Sequence, residues 1–188
     1  MVRRSGGEEP VPDGEVGELT FRGPSVIRAY LSDTDTAAGF TADGFLRSGD
    51  LGRAHVLDGV RYFTYDGRLK DQISRGGEKF MAAELESLLS IHPDVQETAA
   101  VGAPDPKLGE RVCVFVVPSE SGRGLTSDEL RRRLVEFLDQ RDVAKFKWPE
   151  RVEMVDELPK TGTNKLRKDV LRARLQAEEE PSEEGRQP

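Results

Sequence analysis

Cysteine and histidine are scarce in this chain, and long apolar runs are missing. Of its 188 residues, one is cysteine and two are histidine. A lone cysteine, Cys113, cannot close an internal disulfide, and its place within "VCVFVV" indicates burial in a strand; a reducing, cytoplasmic setting fits. His55, His92 and Cys113 form no pair with the spacing of metal ligands or of a nucleophile and its base. No metal site is therefore expected, and all three are read as structural. No stretch approaches the roughly 20 apolar residues of a membrane-crossing helix, so no membrane partner is expected. The start, "MVRRSGGEEP", has no hydrophobic stretch after its arginines and does not read as a secretory signal. Positive charge is also short. Lys and Arg number 28 against 35 Asp and Glu, a net −7, of which −4 sits in "AEEEPSEEGRQP" with five Glu against one Arg. The remainder is close to neutral, which argues against a nucleic-acid partner.

What is present suits a folded chain with a heavily solvated surface: 36% hydrophobic and 34% charged residues. The length allows one ordinary domain or two small ones. "PVPDGE" reads as a turn, "VGELTFRG" as a strand and "VIRAYL" as a second short element. "TDTAAGFTADGFLRSGD" is punctuated by glycine and reads mostly as loop. "RAHVLDGVRYFTY" is a hairpin pattern, two alternating runs joined by Asp58-Gly59 in a type I′ turn. The period then changes from 2 to 3.6. Met81, Leu85, Leu88 and Leu89 share a helix face that His92-Pro93 ends. "VQETAAVG" and "RVCVFVV" read as strands, the second apolar throughout and therefore central. Thr126 and Glu129 form a capping-box pattern ahead of Leu130, Leu134, Phe137 and Leu138. "RVEMVDE" is a last strand and "KLRKDVLRARL" a last short helix. The composition breaks at Gly67 to Asp71. Residues 1–66 are β-rich, 67–71 form a junction, 72–175 follow a β-α-β-β-α-β-α order, and 176–188 read as a disordered acidic tail.

Four segments could carry chemistry, and each has a bland reading beside the sharp one. In "GFLRSGDLG", Asp50 could accept hydrogen bonds from a ribose diol, or it could simply stabilise a turn. In "DGRLKD", Arg68 offers a rigid donor fork for sugar or phosphate, or an exposed ion pair of little worth. In "SRGGEK", Gly76 and Gly77 let a backbone approach a ligand closely, or they make a plain turn. The spacing of a P-loop and its Lys-Ser/Thr are missing there. In "LPKTGTNKLRK", Lys165 ends a Pro/Thr/Gly loop and could reach into a cleft, or it is one more surface lysine.

In this order, the segments resemble the carboxy-terminal part of the adenylate-forming (ANL) enzymes: acyl- and aryl-CoA synthetases, luciferases and the adenylation domains of nonribosomal peptide synthesis. "GEVGELTFRGPSVIRAYL" resembles the family's Gly-Glu-(Leu/Ile) strand motif. "LRSGDLG" resembles its Arg-Thr-Gly-Asp motif with Ser48 for Thr, "GRLKDQISRGGEKFMAAELE" its hinge motif, and "LPKTGTNKLRK" its terminal lysine motif. The resemblance runs over residues 10–175. "GRLKDQISRGGEK" and "KFKWPERVE" look most like the aryl-acid branch, the 2,3-dihydroxybenzoate– and salicylate–AMP ligases of siderophore pathways.

The resemblance implies an α+β fold: a small mobile C-terminal domain preceded by a β-rich remnant of a larger N-terminal body. It implies a carboxylate attacking the α-phosphate of Mg2+-bound ATP, followed by transfer of the acyl group to a phosphopantetheine thiol on CoA or an aryl carrier protein. Asp50 would hold the ribose hydroxyls with help from Arg68, and Lys70 would be the hinge. Lys165 would contact the acid's carboxylate and the α-phosphate, and the Gly76-Gly77 loop would line the pantetheine tunnel. Many relatives have glycine where Asn164 stands; asparagine tolerates the same left-handed conformation. The family's Ser/Thr/Gly-rich phosphate loop and its Tyr-Gly-x-Thr-Glu segment, which supplies the Mg2+ ligand, do not occur in the sequence. The chain is therefore expected to be inactive alone and to need an N-terminal adenylation body, supplied as a separate chain or in a longer parent. A general acyl-CoA synthetase part, a non-catalytic docking module for a carrier protein or CoA, and an inert fragment are the alternatives.

Overall fold

The computed structural model describes residues 1–179, which form two compact units, Met1–Lys70 and a second that begins at Asp71. The first is a four-stranded antiparallel sheet in the order β1 (Val2–Arg3), β2 (Gly17–Phe21), β3 (Leu46–Leu57) and β4 (Val60–Arg68). The β3–β4 turn is the expected one. Asp58 and Gly59 have φ of 53° and 76°, and Leu57 pairs with Val60, the two left-handed residues that a type I′ turn requires. Two expectations do not hold. "VIRAYL" forms no regular element, and Ile27, Tyr30 and Leu31 are exposed. The segment read as loop contains helix α1 (Asp33–Gly39), capped where Asp35 N–H donates to Ser32 Oγ, and the first residues of β3. No residue of α1 is buried, so it has no apolar stripe to reveal it. The glycines of β3 mask a strand whose first residues pair with β2, well back in the chain. The β3–β4 hairpin leaves Val56, Leu57, Val60, Tyr62, Phe63 and Tyr65 exposed, an apolar surface of the kind that favours association.

The second unit comprises β5 (Gln72–Arg75), β6 (Glu78–Met81), α2 (Ala82–Leu89), β7 (Val95–Asp105), β8 (Gly109–Pro118), α3 (Ser127–Asp139), β9 (Arg151–Met154) and α4 (Lys168–Glu179). The sheet runs β6-β5-β8-β7, with β9 parallel to β8 from Cys113↔Arg151 to Val116↔Met154. The order opens with one strand more than expected, because Gly76-Gly77 turns the chain back on itself and makes β5 and β6 a hairpin. β8 is central, as its apolar run requires. Val112, Val114 and Val116 pack on one face with Leu85, Leu89, Leu130, Leu134 and Leu138 of α2 and α3. Cys113, Phe115 and Val117 pack on the other with Leu171 and Leu175 of α4. The alternation of strand side chains thus sets one apolar strand between two helical layers.

The helices follow most of their sequence signals, but Met81, expected on the α2 face, closes β6, and residues 165–167, expected to open the last helix, lie in the loop before α4. Thr126 and Glu129 exchange both capping-box bonds, and Leu130, Leu134 and Leu138 are fully buried. Each such leucine contributes about 1.5–3 kcal/mol by leaving water. α4 extends to Glu179, four residues beyond the expected last helix, and Arg174 pairs with Glu178 one turn on at 3.3 Å. The remainder of the acidic tail, 180–188, lies outside the described residues.

Two titratable groups are structural, as read. Burial pushes the Cys113 thiol up to about 12, which makes it inert as a nucleophile. His92 is buried against Phe137, with ring centroids 4.9 Å apart, and its Nδ1 accepts the Asp94 N–H at 3.1 Å. Burial lowers its pKa below the ordinary 6.5. For the neighbouring Asp94, burial works to raise the pKa, but hydrogen bonds from Ser121 and Arg133 outweigh it and hold the carboxyl below its ordinary value.

Two measurements follow. Leu134→Ala removes a fully buried side chain, and its unfolding free energy in denaturant is expected to fall by about 2–5 kcal/mol. His92 binds its proton less readily folded than unfolded, so its contribution to stability is present above pH 6.5 and is lost as pH falls through the lower folded value. Stability measured against pH should decline as pH falls from 6.5 and level off below the folded value, and His92→Asn should flatten the decline.

Candidate functional site

In the first unit, β3 and β4 make Asp50 and Arg68 register partners, with Arg68 Nε 3.5 Å from Asp50 Oδ1. The segment before Asp50 is fixed residue by residue. Arg47 pairs with buried Glu18 at 3.1 Å, and the Gly49 N–H donates to the other oxygen of Glu18 at 3.2 Å. Ser48 Oγ donates to the Leu19 carbonyl and accepts the Asp50 N–H. Arg68 is a charged partner of the Asp50 carboxylate, which is half-exposed. A carboxylate has room for about four hydrogen bonds, so acceptor positions remain for a diol. Glu18 and Arg47 were not singled out in the sequence, although a charged residue inside the "GELTF" strand was the available signal.

Lys70 lies in a single 3₁₀ turn, Leu69–Asp71, and the boundary between the two units falls directly after it. Asp71 accepts a hydrogen bond from Arg172 Nη2 of α4 at 2.7 Å. The second unit's first residue is therefore held by its last helix.

Gly76 and Gly77 form the tip of the β5–β6 hairpin, with φ of 60° and 90°. A Cβ on Gly77 would meet nothing, so backbone conformation and not space calls for glycine there. Both are exposed, and Gly76 N–H donates to the Leu108 carbonyl at 2.8 Å. The residue before them, Arg75, makes a two-armed bond to Glu150 at 2.9 and 2.8 Å. The Arg75 hydrogen bond holds the Glu150 carboxyl below its ordinary value, and burial opposes that only in part. This pair fixes the hairpin's base, a function that the sequence did not disclose.

Lys165 belongs to a short antiparallel loop. Lys160 and Leu166 are bridged, the Thr161 N–H donates to the Lys165 carbonyl at 2.8 Å, and the Arg167 N–H donates to the Pro159 carbonyl at 2.8 Å. Thr161 Oγ1 accepts the Lys165 N–H at 3.1 Å. Asn164 has φ of 62°, the left-handed conformation that the resemblance required of that position. Lys165 is exposed, and among the described residues its ammonium has no carboxylate partner. Asp50, Arg68 and Lys70 thus belong to the first unit and Gly76, Gly77 and Lys165 to the second, each group held by the local bonds just described.

Residues 84–165 match the family described as AMP-binding enzyme C-terminal domain. The chain is 45% identical over 166 residues to a 2,3-dihydroxybenzoate–AMP ligase of Bacillus subtilis, covering 88% of this chain and 29% of that protein. It is 41% identical over 162 residues to an indoleacetate–CoA ligase of Aromatoleum aromaticum, covering 86% and 30%. Among solved structures, ATP-bound MatB of Rhodopseudomonas palustris aligns with a TM-score of 0.75 and 31% identity, over 92% of this chain and 33% of that one. The chain therefore spans about three-tenths of the length of the curated relatives it matches. Residues 84–165 are an AMP-binding enzyme C-terminal domain, and over most of its length the chain is similar to the corresponding part of adenylate-forming enzymes.

Proposed function

We propose that the chain is the C-terminal part of an adenylate-forming acid–thiol ligase of the acyl-CoA synthetase kind. The observation that carries this reading is the condition of Lys165, an exposed ammonium that no carboxylate of the described residues neutralises. Adenylation brings an acid's carboxylate against the α-phosphate of ATP, and the two repel. A cation between them offsets that repulsion. One such contact at about 4 Å and an effective dielectric of about 20 is worth roughly 4 kcal/mol. Asp50, with acceptor positions to spare beside Arg68, suits the ribose hydroxyls of the nucleotide. The ATP bound in the solved relative supports a nucleotide as the ligand. Lys70, at the boundary of the two units, is the hinge in this reading. Gly76 and Gly77 offer a smooth backbone to a phosphopantetheine arm. The phosphate loop and the Mg2+ ligand belong to an N-terminal body.

The acid is proposed as a carboxylic acid of the wider acyl-CoA ligase range, because relatives that make acyl-CoA and relatives that make aryl-adenylates match the chain almost equally. A narrower reading, 2,3-dihydroxybenzoate or salicylate, is favoured by Lys70, the residue that the aryl-acid branch carries at that place.

The test is ATP-dependent acyl-adenylate formation, trapped with hydroxylamine, from 2,3-dihydroxybenzoate, salicylate, indoleacetate and ferulate. The chain alone should give no product. Mixed with a separately expressed N-terminal body from a relative it should give product, and Lys165→Ala should lower the rate by about 10²–10³. Product from the chain alone, or a full rate in Lys165→Ala, would overturn the reading.

A further inference from the structure

The loop that carries Lys165 stands over a cleft of about 370 Å3, lined by Glu86, Ser90, Glu97, Thr98, Lys160 and Leu166 among others. Two ion pairs span the gap. Lys160 Nζ lies 2.7 Å from Glu97 of β7 at the loop's entry, and Lys168 Nζ lies 2.7 Å from Glu86 of α2 at its exit. Glu86 is fixed in turn, since its Oε1 accepts the Ala100 N–H at 2.6 Å.

The register converts this anchoring into aim. Opposed residues of an antiparallel pair share a face, and the next pair takes the other. Lys160 and Leu166 are opposed. Lys160 turns to Glu97, and Leu166 packs against the core beneath α4. Thr161 and Lys165, the next pair, are both exposed. A slip of one residue would exchange the faces of Lys165 and Leu166. We propose that Glu97, acting through Lys160, is a positioning residue for Lys165, fixing the face of the loop from which its ammonium projects. The Glu86–Lys168 pair holds the other end. The proposal rests on the reading of Lys165 given above. The Lys160–Glu97 pair is about one-third exposed on each side, and such pairs add little to folding. Its work is therefore geometric, and Glu97→Gln should leave the melting temperature unchanged.

Two measurements test it. The first is hydrogen exchange of the chain alone. The amides of Thr161, Asn164, Lys165 and Arg167 are bonded within the loop. In Glu97→Gln they should exchange about tenfold faster while those of β8 do not change. The second is adenylation by the chain combined with an N-terminal body. Glu97→Gln should lower kcat about tenfold at unchanged KM for ATP. The reversed pair, Glu97→Lys with Lys160→Glu, should recover most of the rate. Added to Lys165→Ala, Glu97→Gln should cost nothing further. Unaltered exchange, or an undiminished loss in the Lys165→Ala background, overturns the proposal and leaves the reading of Lys165 in place. No adenylation by the combined proteins, or none lost in Lys165→Ala, overturns that reading and the proposal with it.

Discussion

The second unit depends on the burial of β8 on both of its faces. From Val112 to Val117 the strand carries no charged or hydroxyl side chain, and all six residues are buried. Such a strand is tolerable only if two layers cover it, and α2 with α3 on one side and α4 on the other supply them. β7 pairs along one edge, while β5 and β9 share the other. The parts of the unit that suit chemistry then lie outside this sandwich. The Gly76-Gly77 tip meets the platform where Arg75 pairs with Gly109, at the end of β8. The Lys165 loop joins β9 to α4. Rigid elements in the middle with short, bonded loops at the margin are what precise placement of a charged group requires.

A second regularity concerns the residues that precede the candidate side chains. Asp50 follows Gly49 at φ of 71°, Arg68 follows Gly67 at 140°, and Lys165 follows Asn164 at 62°. Each is a left-handed residue in the extended run just ahead of the candidate side chain. Glycine makes this inexpensive, and asparagine is the common substitute. The motifs that read as Gly-Asp, Gly-Arg and Asn-Lys thus share one local mechanism.

Much of the second unit was legible because its signals are local. The α3 capping box, the leucines of α2 and α3, and the apolar run of β8 each sit within a dozen residues. The Asp58-Gly59 turn in the first unit was legible for the same reason. What escaped depended on partners remote in sequence. β3 begins at Leu46 because β2 is beside it, although Gly44 and Gly49 make the segment look like loop. α1 buries nothing and leaves no periodic trace. The candidate residues were legible one by one through the family resemblance. Their supports, Glu18 beneath Asp50, Glu150 beside Arg75 and Glu97 opposite Lys160, were not. An acidic residue in a chain with 35 of them carries no mark of its partner.

Asp71 is the first residue of the second unit, and it is bonded to Arg172 in the unit's last helix. The chain therefore enters the unit beside α4, and a pull on the segment before Asp71 is passed to a helix packed on β8 through Leu171 and Leu175 rather than to a loose strand end.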